Sequence, residues 1–220
     1  VQAAEKKKSL RRVALSRYVG PSCRLCRREA IKLFLKGERC FTEKCAIEKR
    51  NYPPGVHVDV RGKFLEYGLR LREKQKVRKI YGLSEKQFKR FFTMAERKTG
   101  ITGTNFLVFL ERRLDNMVFR LGFATSRKEA RQIVSHNHIL VNGKKVNTPS
   151  FLVKEGDVIS VKHKDLPSVQ NALESVVRRG VPSWIELDKE EMKGVLKLLP
   201  TREDITMPIR EQLIVEYYSR

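Results

Sequence analysis

The sequence predicts an α+β fold: a mainly helical first part with a four-cysteine metal knuckle and a basic arm, plus a helix–helix–hairpin module with a small β-sheet. Three observations carry this. Apolar residues recur at helical spacing between residues 84 and 121, an Asn-Gly pair separates two short β-prone runs at 142–143, and all four cysteines fall within residues 23–45.

The elements follow in order. Residues 1–20 read as a basic arm. The knuckle is Cys23-x-x-Cys26, thirteen residues, then Cys40-x-x-x-x-Cys45. Two close thiol pairs joined by a loop bring four sulfurs to one ion. Four thiolates with no open position are structural zinc chemistry, and the metal orders a segment too poor in apolar residues to fold alone. An iron–sulfur cluster uses the same donor set. The chain shows no secretory signal, so a cytosolic setting is expected, which disfavours disulfides. Cys23 does not follow a strand of a βαβ unit, which argues against a redox pair. Arg24, Arg27, Arg28, Lys44 and Lys49 offset the gathered thiolate charge.

The run NYPPGVHVDVRG (51–62) reads as an extended connector. Helical pattern then runs from about Glu66 to Arg97, very basic in its first half. Ser84 with Gln87 is a capping-box pattern, and Phe88, Phe91, Phe92 and Ala95 fall at i, i+3, i+4, i+7. Such a stripe is core. A second stripe runs Phe106, Leu107, Leu110, Leu114, Met117, Val118, Leu121, with Gly122 as its stop. Arg112, Asn116 and Arg120 lie four apart on another face of it. Ser126 and Glu129 cap a third helix, with Arg127, Arg131 and Ser135 on one face. Asn142-Gly143 turns a hairpin, and KEGDVISVKH adds a strand. The tail holds strand-like pieces at 184–187 and 194–198 and a helix around 211–218, which should pack on an earlier helix.

Lys+Arg number 47 against 25 Asp+Glu, a net charge of +22. Residues 1–100 carry +18 of it, from 28 cations and 10 anions. An excess of this size calls for a polyanionic partner, with nucleic acid first. No run approaches the ~20 apolar residues of a membrane span, and the cations are not gathered on one strongly amphipathic helix, which disfavours a membrane surface. The capped start at Ser126 suits a phosphate. Arg127 and Arg131 extend it, Asn142, Lys144 and Lys145 lie close by if the hairpin packs beside the helix, and Arg112, Arg113, Asn116 and Arg120 widen it. Compact guanidinium clusters fit RNA backbone and shape better than major-groove DNA. His57, His136, His138 and His163 are scattered and read as surface residues. No Gly-rich phosphate loop, H-E-x-x-H or nucleophile motif is present.

ERRLDNMVFRLGFATSRKEARQIVSHNHILVNGKKVN closely resembles the RNA-binding module of the bacterial small-subunit ribosomal protein S-four family. SRYVGPSCRLCRRE, YPPG.H, YGLRLREKQKVRKIYGLSEKQF and REQLIVEYYSR extend the resemblance over about residues 16–220. It implies an arm and knuckle at 1–50, a helical domain at 51–103 completed by 200–220, and an inserted RNA-binding domain at 104–199 with its core at about 109–163. It implies no enzyme, but a cytoplasmic, ribosome-bound protein that binds 16S rRNA at a junction in its 5′ domain and nucleates small-subunit assembly. It also implies a place beside protein S-five at the mRNA entry path, where such proteins influence decoding accuracy. Some members repress translation of their own operon. Arg61 and Lys63 match the entry-path basic loop, although HVDVRGKF replaces the usual Gly-rich run. Arg17, Arg70, Arg72, Lys74, Lys76 and Arg78 complete the expected RNA-binding set. The cysteines match the zinc-bearing subset, with one structural ion. An RNA-modifying enzyme carrying this module would need a further catalytic segment. A zinc-containing DNA regulator would need a recognition helix. Neither is evident.

Overall fold

A computed structural model describes residues 18–55 and 65–219. A small N-terminal lobe consists of α1 (Ser22–Glu29), a 3-10 turn (Gly37–Cys40) and α2 (Ala46–Lys49). Helices α3 (Glu66–Ile80), α4 (Glu85–Glu96), α5 (Thr102–Glu111), α6 (Leu114–Leu121) and α7 (Arg127–Ser135) follow. Next come β1 (Ile139–Val141), β2 (Lys144–Lys145), β3 (Val158–Val161), α8 (Pro167–Arg179), β4 (Ile185–Asp188), β5 (Lys193–Leu196) and α9 (Glu211–Tyr218). None of the described helices is long and apolar enough to cross a membrane.

Two apolar cores result. In the first, Phe88, Phe91, Phe92 and Ala95 of α4 meet Phe106, Leu107 and Leu110 of α5. Phe88 and Phe106 stack edge to face at 4.9 Å between centroids, a favoured aromatic geometry. Helix α9 returns to pack on α3 and α5, burying Ile214. The Cβ of an alanine at Gly103 would lie 2.8 Å from Glu211 Cγ, so the small residue admits α9. Ser84 Oγ accepts from Gln87 N (3.4 Å), capping α4 as the sequence predicts.

The second core joins α6 and α7 to one face of a five-stranded antiparallel sheet, in the order β2-β1-β3-β5-β4. Asn142 and Gly143 both have positive φ (50° and 75°), the turn that Asn-Gly favours. Asn142 also pins this turn to β3, its Oδ1 accepting from Val158 N (2.8 Å). Gly122 closes α6 at φ 87°.

The apolar stripe at 106–121 is not one helix. Arg113 is extended (φ −63°, ψ 137°) and separates α5 from α6. Its neighbours exchange helical bonds for a strand-like bridge: Leu114 N donates to Phe151 O (2.8 Å), and Val153 N to Arg112 O (2.9 Å). Arg112 therefore leaves the face on which Asn116 and Arg120 stand. Helix α8 has no counterpart in the sequence reading. Pro167 in its first turn, with Val169, Ala172 and Leu173 at i, i+3, i+4, was the available signal.

Candidate nucleic-acid interface and metal centre

The four cysteines converge. Their side chains line one cavity of about 20 Å³, in the size range of a single water or small ion, at the junction of α1, the 3-10 turn and α2. All four are free thiols. Burial pushes the Cys26 and Cys40 thiols up, and the neighbouring sulfurs add to it. Lys36 N donates to Cys40 Sγ (3.4 Å), the kind of outer contact that orients a thiolate ligand. Lys36 and Arg39 border the cavity. Donor type, number and cationic surroundings thus fit a closed four-thiolate centre. As they stand, no three His, Cys, Asp or Glu side chains among the described residues are set to hold an ion. The thiols must draw inwards to ligate one.

The lobe is tied to α7. Gly37 (φ +60°) lies so close to Thr125 that an added Cβ would sit 2.7 Å from Thr125 O, and Lys128 Nζ donates to Ser22 Oγ (2.8 Å). Ser126 Oγ caps α7 by accepting from Glu129 N (3.3 Å). The Glu129 carboxylate reaches back to accept from Thr125 N (2.7 Å) and Thr125 Oγ1 (2.5 Å).

The predicted RNA-binding residues divide into two groups. One group is consumed inside the fold. Glu111, fully buried, accepts from Tyr81 Oη (2.6 Å), Asn116 Nδ2 (2.6 Å), Arg120 Nε (3.0 Å) and Arg120 Nη2 (2.9 Å). Burial pushes the Glu111 carboxyl up, but the Arg120 charge and its hydrogen bonds, with Arg127 and Tyr81, outweigh it and leave a pKa of about 2. Arg113 is fully buried, paired with Asp115 through Nε–Oδ1 (3.0 Å) and Nη2–Oδ2 (2.6 Å). Asn116, Arg113 and most of Arg120 therefore face inwards and do not widen an RNA surface. The two arginine charges answer the buried carboxylates of Asp115 and Glu111, as buried ions must. Lys74 is buried against Glu85 (2.6 Å) and the Tyr217 ring (4.5 Å), and Lys76 against Glu73 (2.6 Å) and Pro208 O (2.7 Å). Arg70 is mostly covered by Glu216 (2.7 Å) and Glu66 (3.1 Å). These lysines and Arg70 brace α3 and α9.

The other group reaches the surface. Arg24, Arg28, Lys44, Asn142, Lys144 and Lys145 are exposed. Arg72, Arg78, Arg112, Arg127 and Arg131 are partly exposed. Arg27 is held by Tyr52 O (2.9 Å) and stacks over the Tyr52 ring (4.5 Å). Arg112 Nε donates to Val153 O (2.9 Å). Arg131 lies 3.6 Å from the Asp115 carboxylate. Arg127 Nε donates to Asn116 Oδ1 (2.8 Å), with its guanidinium over Phe119 (4.5 Å) and Tyr81 (5.1 Å). Among the described residues no carboxylate is within ion-pair distance of Arg127, and burial, then the Arg120 charge, lowers its pKa. Arg17, Arg61, Lys63 and His57 lie outside the described residues. The sequence reading missed Lys128, exposed beside Arg127 in the first turn of α7. It also missed Lys86, Lys89 and Arg90, exposed on the solvent face of α4 opposite its phenylalanines. Their positions against the apolar stripe were the available signal. His136, His138 and His163 are not scattered: β1–β3 pairing sets their rings 6.3 and 6.4 Å apart in succession.

The frame is a helical domain joined to an α6–α7–sheet module, and a family model matches each part. Residues 17–111 match the ribosomal protein S4/S9 N-terminal domain, and residues 112–159 match the S4 domain. The small ribosomal subunit proteins uS4 of Geobacter metallireducens, Geobacter sulfurreducens and Syntrophobacter fumaroxidans are 62%, 61% and 59% identical to the chain over 208 residues. Each alignment covers 94% of this chain and the whole of the relative. The chain belongs to the uS4 family of small ribosomal subunit proteins.

Proposed function

We propose that this chain is a structural component of the small ribosomal subunit, ribosome-bound in the cytoplasm, that binds 16S rRNA and is not an enzyme. Its family carries this reading. The outward cations support it, because Arg24, Arg28, Lys44, Lys128, Lys144 and Lys145 stand on a frame whose inner charges are already paired. Phosphate contacts from such a frame release counterions and set position. The finer reading is a primary binder of a junction in the 16S 5′ domain that nucleates assembly. It sits beside protein S-five at the mRNA entry path, influences decoding accuracy there, and represses its own operon through the mRNA.

We further propose that Cys23, Cys26, Cys40 and Cys45 hold one structural zinc ion, an iron–sulfur cluster being the second choice. The shared cavity and the absence of disulfides support it. The ion supplies no chemistry beyond order: it fixes α1 and the 3-10 turn, and with them the contacts to Thr125 and Lys128.

The test is binding at physiological salt to a 16S 5′-domain fragment, against equal masses of tRNA and duplex DNA. Strong preference for the fragment is expected. Equal, steeply salt-dependent binding to all three would mean that charge alone acts, and would remove the rRNA assignment.

A further inference from the structure

A cleft of about 570 Å³ lies between the N-terminal lobe, the end of α3 and the start of α7. That is within the roughly 300–1,000 Å³ typical of small-ligand sites. Its composition is unusual for a surface made only to meet phosphates. Leu25, Leu35, Ile80 and Leu83 give it an apolar floor. Tyr18, 46% exposed, and Phe34 stand in its wall. Phe34 holds a positive φ of 51°, a costly backbone for a bulky residue, and such strain gathers at binding sites. Its ring stacks on the exposed Phe41 at 4.9 Å.

The rim has the opposite character. Arg127, Lys128 and Arg131 stand along one turn of α7, with Arg78 and Lys79 across from them. Two acids line the cleft, and both are engaged: Asp115 by Arg113 and Arg131, Glu129 by the cap at Thr125. Of the cations, Arg78 is paired with Glu85 (3.2 Å), Lys79 with Glu29 and Arg131 with Asp115 (3.6 Å), so the cationic side of the cleft lies at Arg127 and Lys128 in the first turn of α7, beside the apolar floor. That combination suits one ligand class, a planar heterocycle joined to a phosphate. Proteins that bind single-stranded RNA take unstacked bases onto aromatic side chains in this way.

We propose that this cleft receives one nucleotide, its base against Tyr18 and Phe34 and its phosphate at the rim of α7. The inference rests on the reading of this chain as an RNA-binding protein. The nucleotide is either one splayed from a bound RNA strand or a free mononucleotide, since both present the same chemistry.

Photo-crosslinking of the full chain separates them. One arm uses 8-azidoadenosine 5′-phosphate. The other uses a 16S 5′-domain fragment carrying 4-thiouridine. Adducts mapping to the cleft are expected in at least one arm, and the arm identifies the source. Excess AMP should compete, and ribose 5-phosphate at equal concentration should not. Tyr18→Ala, and separately Phe34→Asn, which tolerates the backbone, should lower the cleft adduct at least about fivefold while adducts at Lys144 and Lys145 persist. Adducts lying only outside the cleft in both arms would overturn the proposal. A fragment that binds without cleft adducts, with no azido adduct there either, removes the nucleotide site and leaves the ribosomal reading standing. A fragment that fails to bind removes the ribosomal reading, and the azido arm alone still decides the cleft.

Discussion

Glu111→Gln tests the joint between the two cores. Among the described residues the Glu111 carboxylate has only donors around it: one phenol, one amide N–H₂ and two guanidinium nitrogens. Glutamine keeps the shape but turns an N–H₂ towards donors and leaves Arg120 without its counter-charge. Breaking a buried pair in this way costs about 3–5 kcal/mol. The pH dependence gives a second figure. With the folded pKa near 2 and the ordinary value at 4.5, ionised Glu111 stabilises the fold by about 3 kcal/mol at neutral pH. The pKa is depressed on folding, so this stability is complete above about pH 5 and is lost as pH falls towards 2. Urea melts of both proteins from pH 7 to pH 2.5 measure it. The gap between them should be widest at pH 7 and narrow steadily below about pH 5. A gap under about 1 kcal/mol at pH 7, or one that does not change with pH, would refute the reasoning.

Three further outcomes follow from other parts of the molecule. Cys23→Ser should loosen the lobe, weaken rRNA binding and lose the single metal that chelation releases from the native chain; a metal count of two or none by atomic absorption contradicts one four-thiolate centre. Lys144→Ala with Lys145→Ala should lower the slope of log K against log salt by about 1.5 and leave the melting curve in place; an unchanged salt slope would mean that the hairpin faces solvent in the complex. Gly194→Ala would bring a Cβ to 2.1 Å from Leu121 Cδ2, so it should destabilise by roughly 1–3 kcal/mol in urea, and a neutral result would show that β5 and α6 separate readily.

The elements with strong local chemistry were legible in the sequence. Ser84, Ser126, Gly122 and Asn142-Gly143 announce their caps and turns, and each takes the conformation that its residue type favours. The phenylalanine stripe of α4 is likewise explicit. The fate of individual cations was not. Arg112 and Arg120 look alike on one helical face, yet the break at Arg113 depends on residues 149–153, about forty positions away in the chain. Periodicity has no access to such a bridge. Burial of Arg113, Lys74 and Lys76 depends in the same way on carboxylates and carbonyls brought by folding. A basic stretch thus shows that a polyanion is sought, but not which of its cations are spent internally. The cysteines are the converse case: their spacing placed them in one neighbourhood, and all four line one small cavity.

Why the joint should be polar at all is itself testable. Apolar residues of similar volume often match or exceed a buried ion network in stability, so Glu111, Asn116 and Arg120 need not be present for strength. Their hydrogen bonds are directional, and Asn116 passes that direction to Arg127 through the 2.8 Å contact from Nε. The ring faces of Phe119 and Tyr81 then hold the guanidinium at the cleft rim. The network should therefore act as a positioning device for α7. The combined variant Tyr81→Phe, Glu111→Leu, Asn116→Leu, Arg120→Met should melt within about 1 kcal/mol of the native chain, or higher. Its affinity for the 16S fragment should nevertheless fall at least about tenfold, since a positioned hydrogen bond to a charged group is lost. The salt slope should stay nearly constant, because Arg127 remains a cation. Native-like affinity in this apolar variant would show that packing alone orients α7, and that the buried charges serve the fold rather than the binding surface.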